Sequence, residues 1–120
     1  MKKRILVVDD EADVLDALKS SLERQDFKVA LAQDGEEALK KLESESPDLI
    51  ILDLIMPKLS GEELLKLIRK NLKTMDTPVI VSTVRRETST LVNLMKLGAT
   101  DYLMKPYDIK ELSKIINVYI

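Results

Sequence analysis

Short apolar runs alternate five times with longer amphipathic stretches along this chain. The apolar runs predict strands that are buried on both faces; they are Ile5–Val8, Val29–Ala32, Leu49–Leu52, Val79–Val81 and Tyr102–Met104. A strand followed by a helix, repeated in this way, is typical of a parallel sheet with right-handed crossovers and helices on both faces. The sequence therefore predicts an α/β fold of the doubly wound (βα)5 type.

Each amphipathic stretch places apolar side chains on one face at helical spacing. The predicted faces are Val14, Leu15, Leu18 and Leu22; Ala38, Leu39 and Leu42; Leu64, Leu65, Ile68 and Leu72; Leu91, Leu94 and Met95; and Ile109, Leu112, Ile115, Ile116 and Tyr119. Asp34, Ser60 and Asp108 each precede a glutamate by three residues, a spacing that predicts helix N-caps. Gly98 predicts the end of the fourth helix, whose start between Arg85 and Ser89 has no clear capping residue.

The length and charge of the chain limit its possible activities. Its 120 residues predict a single domain over 1–120, because domains most often have about 100–150 residues. The net charge of -2 argues against nucleic-acid binding as the main activity, since that usually needs a basic face. No apolar stretch approaches the roughly 18 residues that a membrane span needs, and the run after MKKR is too short for a signal peptide. We therefore expect a cytoplasmic protein without membrane contact.

Cysteine and histidine are both missing from the sequence. Without cysteine, disulfides, cysteine nucleophiles and thiolate zinc sites are excluded. Without histidine, a Ser-His-Asp triad and histidine-bound metals are excluded, and the chain cannot itself carry a phosphohistidine. Any chemistry must therefore depend on carboxylates, hydroxyls and amines.

Polar side chains follow the predicted strands at the points where the strands end. In chain order these are Asp9 and Asp10, Asp53, Ser82 and Thr83, and Lys105. Active sites of open parallel sheets lie beyond the carboxyl ends of the strands. Three carboxylates, the hydroxyl of Ser82 or Thr83, and an ammonium group are therefore expected at one edge of the sheet.

The three carboxylates would crowd together if the first and third strands are neighbours. Two like charges ~4 Å apart repel by roughly 4 kcal/mol at an effective dielectric constant of ~20, so such a cluster takes up protons or recruits a cation. Oxygen ligands with several waters suit Mg²⁺ better than Ca²⁺. Bound Mg²⁺ can coordinate phosphate oxygens, and a neighbouring carboxylate can act as the nucleophile in phosphoryl transfer. Lys105 offers a positive charge and Thr83 a hydrogen-bond donor for the phosphoryl oxygens.

Each of these residues also has a purely structural interpretation. Asp10 would cap the first helix, with Asp13 in its first turn. Asp53 and Thr83 would simply end strands, and Lys105 would be a solvated loop residue. Tyr102, on a strand, is more often a core residue than a switch. The functional interpretation is favoured because all the polar residues fall on the same edge.

The motifs at these strand ends resemble those of the response-regulator receiver family of two-component signalling. The matching segments are LVVDDE at 6–11, DLIILDLIMPKLSG at 48–61, PVIVST at 78–83 and GATDYLMKPY at 98–107. The resemblance covers essentially all 120 residues. It implies a flavodoxin-like sheet of strand order 2-1-3-4-5, in which the first and third strands are neighbours.

The resemblance also implies a role for each candidate residue. Asp53 would accept a phosphoryl group, and Asp9 and Asp10 would hold Mg²⁺ together with Asp53 and the backbone carbonyl of Ile55. Lys105 and Thr83 would contact the phosphoryl group. The implied catalytic residues are therefore Asp53, Thr83 and Lys105.

The resemblance further implies a conformational switch. Tyr102 would turn inward as Thr83 moves, changing the surface of the fourth helix, fifth strand and fifth helix. A cis peptide would precede Pro106. Ser82 lies beside Thr83, and strand alternation and the motif favour Thr83 as the switching hydroxyl.

Three residues depart from the common pattern of the family. Val84 replaces a smaller alanine and is expected to narrow access to Asp53. Ile55 and Arg85 occupy positions that tune dephosphorylation in the family. These departures affect expected rates and leave the assignment unchanged.

The implied partners are a histidine kinase or phosphotransfer protein and a downstream protein or fused output domain. The chain would be a monomer, with dimerisation on phosphorylation left open, and any DNA contact would belong to an output domain. One alternative is a phosphatase like the haloacid dehalogenases, but these carry a second aspartate where this chain has Ile55. The other is an interaction module that has lost phosphorylation, against which the intact polar set argues.

Overall fold

The computed structural model describes residues 2–120, in which five strands alternate with five helices. The strands are β1 (Arg4–Val8), β2 (Lys28–Ala32), β3 (Leu49–Asp53), β4 (Val79–Thr83) and β5 (Asp101–Met104). The helices are α1 (Ala12–Arg24), α2 (Gly35–Glu45), α3 (Gly61–Lys70), α4 (Thr88–Lys96) and α5 (Ile109–Tyr119). No helix within this part of the chain is both long and apolar enough to cross a membrane.

The strands form one parallel sheet in the order β2-β1-β3-β4-β5. This order confirms the predicted doubly wound fold and makes β1 and β3 neighbours. Val8 at the end of β1 lies beside Leu52, so the residues that follow these two strands emerge together.

Side chains that alternate along the central strands separate the core into two layers. Leu6 and Ile50 face the layer that contains α2, α3 and α4. Ile5 and Leu49 point to the opposite face and pack with α1 and α5. The sheet is therefore covered by helices on both sides.

Side-chain caps begin three of the helices as predicted. Asp34, Ser60 and Asp108 accept hydrogen bonds from backbone amides three residues ahead, which satisfies donors that a helix start leaves free. The N-cap of α4 is Glu87, whose side chain makes no such bond to any described residue. Gly98 follows the end of α4 with a φ of +102°, a conformation that suits glycine.

Three details of the predicted core are wrong. β2 and β5 form the edges of the sheet and are only partly buried, because each has a neighbour on one side only. Leu72 lies beyond the end of α3, and 86% of its surface is exposed. Met95 follows the helical spacing of α4 but is exposed, since only Leu94 of that helix is fully buried.

Candidate functional site

The carboxyl ends of β1, β3, β4 and β5 bring the predicted residues together. Asp53 ends β3, and Asp9 follows the neighbouring strand. Lys105 follows β5, and its backbone N–H donates a hydrogen bond to the carbonyl of Thr83 at 2.8 Å. The sheet thus fixes the relative positions of these residues through its main chain.

Three carboxylates form a compact cluster at this edge. One oxygen from each of Asp9, Asp10 and Asp53 lies within 4.8 Å of the others. Asp9 is 2% exposed and Asp53 6% exposed, whereas Asp10 faces solvent. Two of the charges are therefore desolvated and the third keeps the cluster open to water.

Lys105 places a single ammonium group against the two buried carboxylates. Its Nζ lies 3.3 Å from Oδ2 of Asp9 and 3.4 Å from Oδ1 of Asp53. Three carboxylates and one ammonium leave a formal excess of two negative charges. A divalent cation would neutralise this excess, and the oxygen donors suit a hard cation such as Mg²⁺.

Burial and charge shift the pKa values at this edge. Burial raises the pKa of Asp53, which Lys105 lowers and the Asp9 carboxylate raises again. Burial lowers the pKa of Lys105, but the charges of Asp53 and Asp9 outweigh it and leave that pKa raised. The ammonium form of Lys105 is thus favoured, and the carboxylate form of Asp53 is less favoured than in an exposed aspartate.

The chain after β1 is fixed by Asp9. Its Oδ1 accepts a hydrogen bond of 3.0 Å from the backbone N–H of Glu11. Glu11 is the N-cap position of α1, so the capping role considered for Asp10 is wrong. The Asp10 carboxylate is instead one of the three in the acidic cluster.

The two hydroxyls at the end of β4 are both buried. Thr83 Oγ1 accepts a hydrogen bond of 2.9 Å from the backbone N–H of Arg85. Ser82 is the register partner of Asp53, and register partners in a parallel pair share a face. The alternation argument for Thr83 is therefore wrong, and its assignment depends on the motif alone.

Two apolar side chains flank the mouth of the cleft that contains Asp53. Ile55 is 49% exposed and Val84 is 58% exposed, and both line this cleft with Asp10, Glu11 and Lys105. The Ile55 backbone N–H lies 3.4 Å from Oδ1 of Asp53. The cleft that leads to the Asp53 carboxylate is therefore partly apolar.

The segment from Lys105 to Tyr107 borders a second groove next to the cleft. The Lys105–Pro106 peptide bond is cis, as the resemblance implies. Tyr107, which sequence reasoning did not single out, lines this groove with Val14 and Leu18 of α1. Burial raises the pKa of Tyr107. The position of Tyr107, two residues after Lys105, is the sequence feature that could have identified it.

Tyr102 lies apart from the acidic cluster, in a groove between α4 and β5. It is partly buried and lines the groove with Leu91, Val92 and Met95. The groove is largely apolar and open to solvent. Tyr102 is therefore in contact with the surface that the resemblance links to signal output.

Comparisons with known proteins give a consistent family. A family model described as "Response regulator receiver domain" matches residues 5–117. The alkaline phosphatase synthesis transcriptional regulatory protein PhoP of Bacillus subtilis is 44% identical over 113 residues, which cover 94% of this chain and 46% of that protein. Response regulator MprA of Mycolicibacterium vanbaalenii is 43% identical over 93% of this chain and 48% of its own length. The chain thus spans about half the length of these curated relatives.

Solved structures show the same likeness in three dimensions. Vibrio cholerae chemotaxis protein CheY4 superposes with a TM-score of 0.96 at 28% identity, over 100% of both chains. The receiver domain of Francisella response regulator 1452 gives 0.90 at 34% identity, over 98% of this chain and 96% of that one. With its acidic strand edge and its 2-1-3-4-5 sheet, the chain belongs to the receiver domains of two-component response regulators.

Proposed function

We propose that Asp53 accepts the phosphoryl group from a phosphohistidine of a histidine kinase or phosphotransfer protein. The family's general function is to accept a phosphoryl group. The observation that supports this site is the position of buried Asp53, which pairs with Lys105 at 3.4 Å and has a carboxylate oxygen within 4.8 Å of one from Asp9. A carboxylate oxygen of Asp53 attacks the phosphorus, and the phosphorus–nitrogen bond to the imidazole breaks. The imidazole leaves with that electron pair, and an aspartyl-phosphate remains.

The residues at the strand edge fit Mg²⁺. Asp9, Asp10 and Asp53 offer carboxylate oxygens within reach of one ion, and the backbone carbonyl of Ile55 would complete the protein ligands. The bound ion would neutralise charge on the phosphoryl oxygens. Lys105 would hold a phosphoryl oxygen with its ammonium group, and Thr83 would donate its hydroxyl to another.

Receiver domains are signalling domains rather than classical enzymes. For this chain we propose that the only chemistry is its own phosphorylation and dephosphorylation. The second step is attack of water on the phosphorus, which restores the Asp53 carboxylate and releases phosphate. Ile55 and Val84 line the cleft that contains Asp53 and would set the rate of this step.

The test is incubation of the chain with Mg²⁺ and acetyl phosphate, followed by intact mass measurement. We expect a gain of one phosphoryl group that fades with time and does not appear when EDTA replaces Mg²⁺. Reduction of the aspartyl-phosphate with borohydride and peptide mapping should place it at Asp53. A phosphoryl group at another residue, or no gain together with no stabilisation by Mg²⁺ or beryllofluoride, would contradict the proposal.

The change at Asp53 would reach the surface of α4, β5 and α5 through Thr83 and Tyr102. Thr83 would move toward the phosphoryl group and break the hydrogen bond that its Oγ1 now accepts from the Arg85 backbone N–H. Tyr102 would then move from its groove beside α4. The phosphoryl group shifts this equilibrium only by its different affinity for the two states.

Tyr102→Ala is expected to keep binding of beryllofluoride with Mg²⁺ but to lose most of the response of α4. Amide chemical shifts of Leu91 and Val92 measure this response. Tyr119→Phe is the control, because it removes only a hydroxyl that donates to Asp101 at 2.9 Å. Full shifts of the α4 amides in Tyr102→Ala would exclude Tyr102 from the switch.

The greater length of the relatives suggests what the phosphorylated domain controls. PhoP of Bacillus subtilis is a transcriptional regulatory protein of about twice this length. We propose that the chain acts in the cytoplasm as a single domain over residues 1–120 that controls a fused output domain or a separate protein. Any contact with DNA would belong to that output domain. The receiver domain would be a monomer, with dimerisation on phosphorylation left open.

A further inference from the structure

The loop of residues 54–60 joins Asp53 to α3 and carries the Ile55 carbonyl. Its first side chains alternate between core and solvent: Ile55 points outward, whereas Met56 is 8% exposed and belongs to the core cluster that includes α2 and α3. Lys58 has a φ of +66°, which turns the chain back toward the protein. The direction of the Ile55 carbonyl therefore depends on where this loop is anchored.

Gly61 anchors the end of the loop against β3. Its backbone N–H donates a hydrogen bond of 3.0 Å to the carbonyl of Leu54. A Cβ atom at position 61 would lie 2.6 Å from the Asp53 carbonyl oxygen and 2.7 Å from Leu54 Cα, closer than real Cβ contacts. The start of α3 and the end of β3 are therefore held in direct backbone contact.

Leu59 anchors the loop on the opposite side, where it packs on Gly35 at the start of α2. A Cβ atom at position 35 would lie 2.5 Å from Cδ2, 3.0 Å from Cγ and 2.8 Å from Cβ of Leu59. Rotation of the Leu59 side chain could relieve the first two contacts. It could not relieve the third, because the position of Cβ is fixed by the main chain. A side chain at position 35 must therefore displace the loop or α2.

We propose that Gly35 and Leu59 are positioning residues for the Mg²⁺ site, an inference that rests on the proposed function above. Neither residue reaches the acidic cluster. Their contact constrains the path of residues 54–60, and with it the orientation of the Ile55 backbone carbonyl, which is the proposed main-chain ligand. Moving Leu59 outward would change the orientation of this carbonyl, whereas Asp53 would stay at the end of β3 and Asp9 and Asp10 would stay in the segment after β1.

Gly35→Ala tests the proposal through Mg²⁺ affinity. We expect the Kd for Mg²⁺ to rise about tenfold, as for other changes that disturb the orientation of a metal ligand. Titration with MgCl₂, followed by the amide chemical shifts of Ile55 and Met56, measures this Kd without any reaction. With acetyl phosphate, the initial rate should fall at low Mg²⁺ and recover at saturating Mg²⁺.

Gly98→Ala is the matched control for loss of stability. Gly98 has a φ of +102° and faces Arg69, so alanine there is strained and lowers the thermal stability. It lies beyond α4 and does not contact residues 54–60. We expect an unchanged Kd in this variant; a similar rise in both glycine variants would mean that instability alone weakens binding and would overturn the proposal.

Leu59→Ala disrupts the same contact by changing the loop residue. It tests the proposal if Gly35→Ala does not fold. It removes Cγ and both Cδ atoms, which account for two of the three contacts with position 35, so the Kd for Mg²⁺ should also rise. In the double variant the two effects should combine to less than their product, because both act through one contact. An unchanged Kd in the folded single variants would overturn this inference alone. No Mg²⁺-dependent shift in the parent chain would overturn the proposed function together with it.

Discussion

Asp53→Asn is expected to abolish phosphoryl uptake and to stabilise the Mg²⁺-free protein at neutral pH. Asparagine has nearly the shape of aspartate but lacks the nucleophilic carboxylate oxygen. In the folded protein, burial of the charge is the largest influence on Asp53, and the attraction to Lys105 opposes the repulsion from Asp9, so burial decides the sign. We expect the free energy of unfolding to rise by on the order of 1 kcal/mol, the remainder of these opposed contributions.

The direction of the pH dependence follows from the raised pKa of Asp53. A raised carboxyl pKa means that the folded protein binds this proton more tightly than the unfolded chain does. The destabilising contribution of Asp53 is therefore fully present above its folded pKa and disappears as the pH falls below its unfolded value. The stability advantage of Asp53→Asn should shrink over the same interval.

Urea unfolding of the parent and the variant in EDTA, at several pH values, measures this difference. Asp16→Asn, which removes an exposed carboxylate from α1, serves as the control for a change of net charge. Added Mg²⁺ should stabilise the parent more than the variant, because it binds the ionised cluster. A less stable Asp53→Asn protein in EDTA would show that the attraction to Lys105 dominates. Phosphoryl uptake by the variant would refute Asp53 as the acceptor.

The order of the elements and the position of the site follow from local patterns in the sequence. The apolar runs before Asp9 and Asp53 are buried strands whatever the rest of the chain does, and residues that follow parallel strands share one edge. The sequence did not predict that β2 and β5 are only partly buried, because their burial depends on the order of the strands in the sheet. Leu72 and Met95 fit helical spacing, but they lie where a helix ends or turns outward, and such boundaries depend on tertiary packing.

The sequence could not have revealed contacts between residues that are far apart in the chain. Gly35 has the appearance of an ordinary first residue of a helix, and only the structure shows Leu59 against it. Ser82 and Thr83 could not be distinguished because the register between β3 and β4 is a property of the sheet. Arg69 has the appearance of a solvated residue in the last turn of α3, next to the exposed Lys70.

Arg69 instead joins three segments at the end of the sheet opposite Asp53. Its Nε donates to the Gly98 carbonyl at 2.8 Å. Its Nη1 donates to the carbonyls of Thr74, Met75 and Thr77, in the loop that precedes β4, at 3.1, 3.1 and 2.7 Å. Its Nη2 lies 3.3 Å from Oγ1 of Thr100, just before β5. One partly buried guanidinium group thus donates hydrogen bonds to several backbone carbonyls that accept none within a strand or helix and would otherwise need water.

Arg69→Ala is therefore expected to lower the free energy of unfolding by about 3 kcal/mol, since hydrogen bonds from a charged group contribute about 1.5–3 kcal/mol and the freed carbonyls are only partly reached by water. Arg69→Lys should restore less than half of this loss, because an ammonium group cannot match the planar fork, and Lys70→Ala should change little. Urea unfolding measures the stability of all three variants.

Because the Arg69 guanidinium lies at the end of the sheet opposite Asp53, the Arg69→Ala protein should still accept a phosphoryl group under conditions where it is folded. A loss of uptake in the folded variant would show that the ends of α3 and α4 are coupled to the acidic cluster.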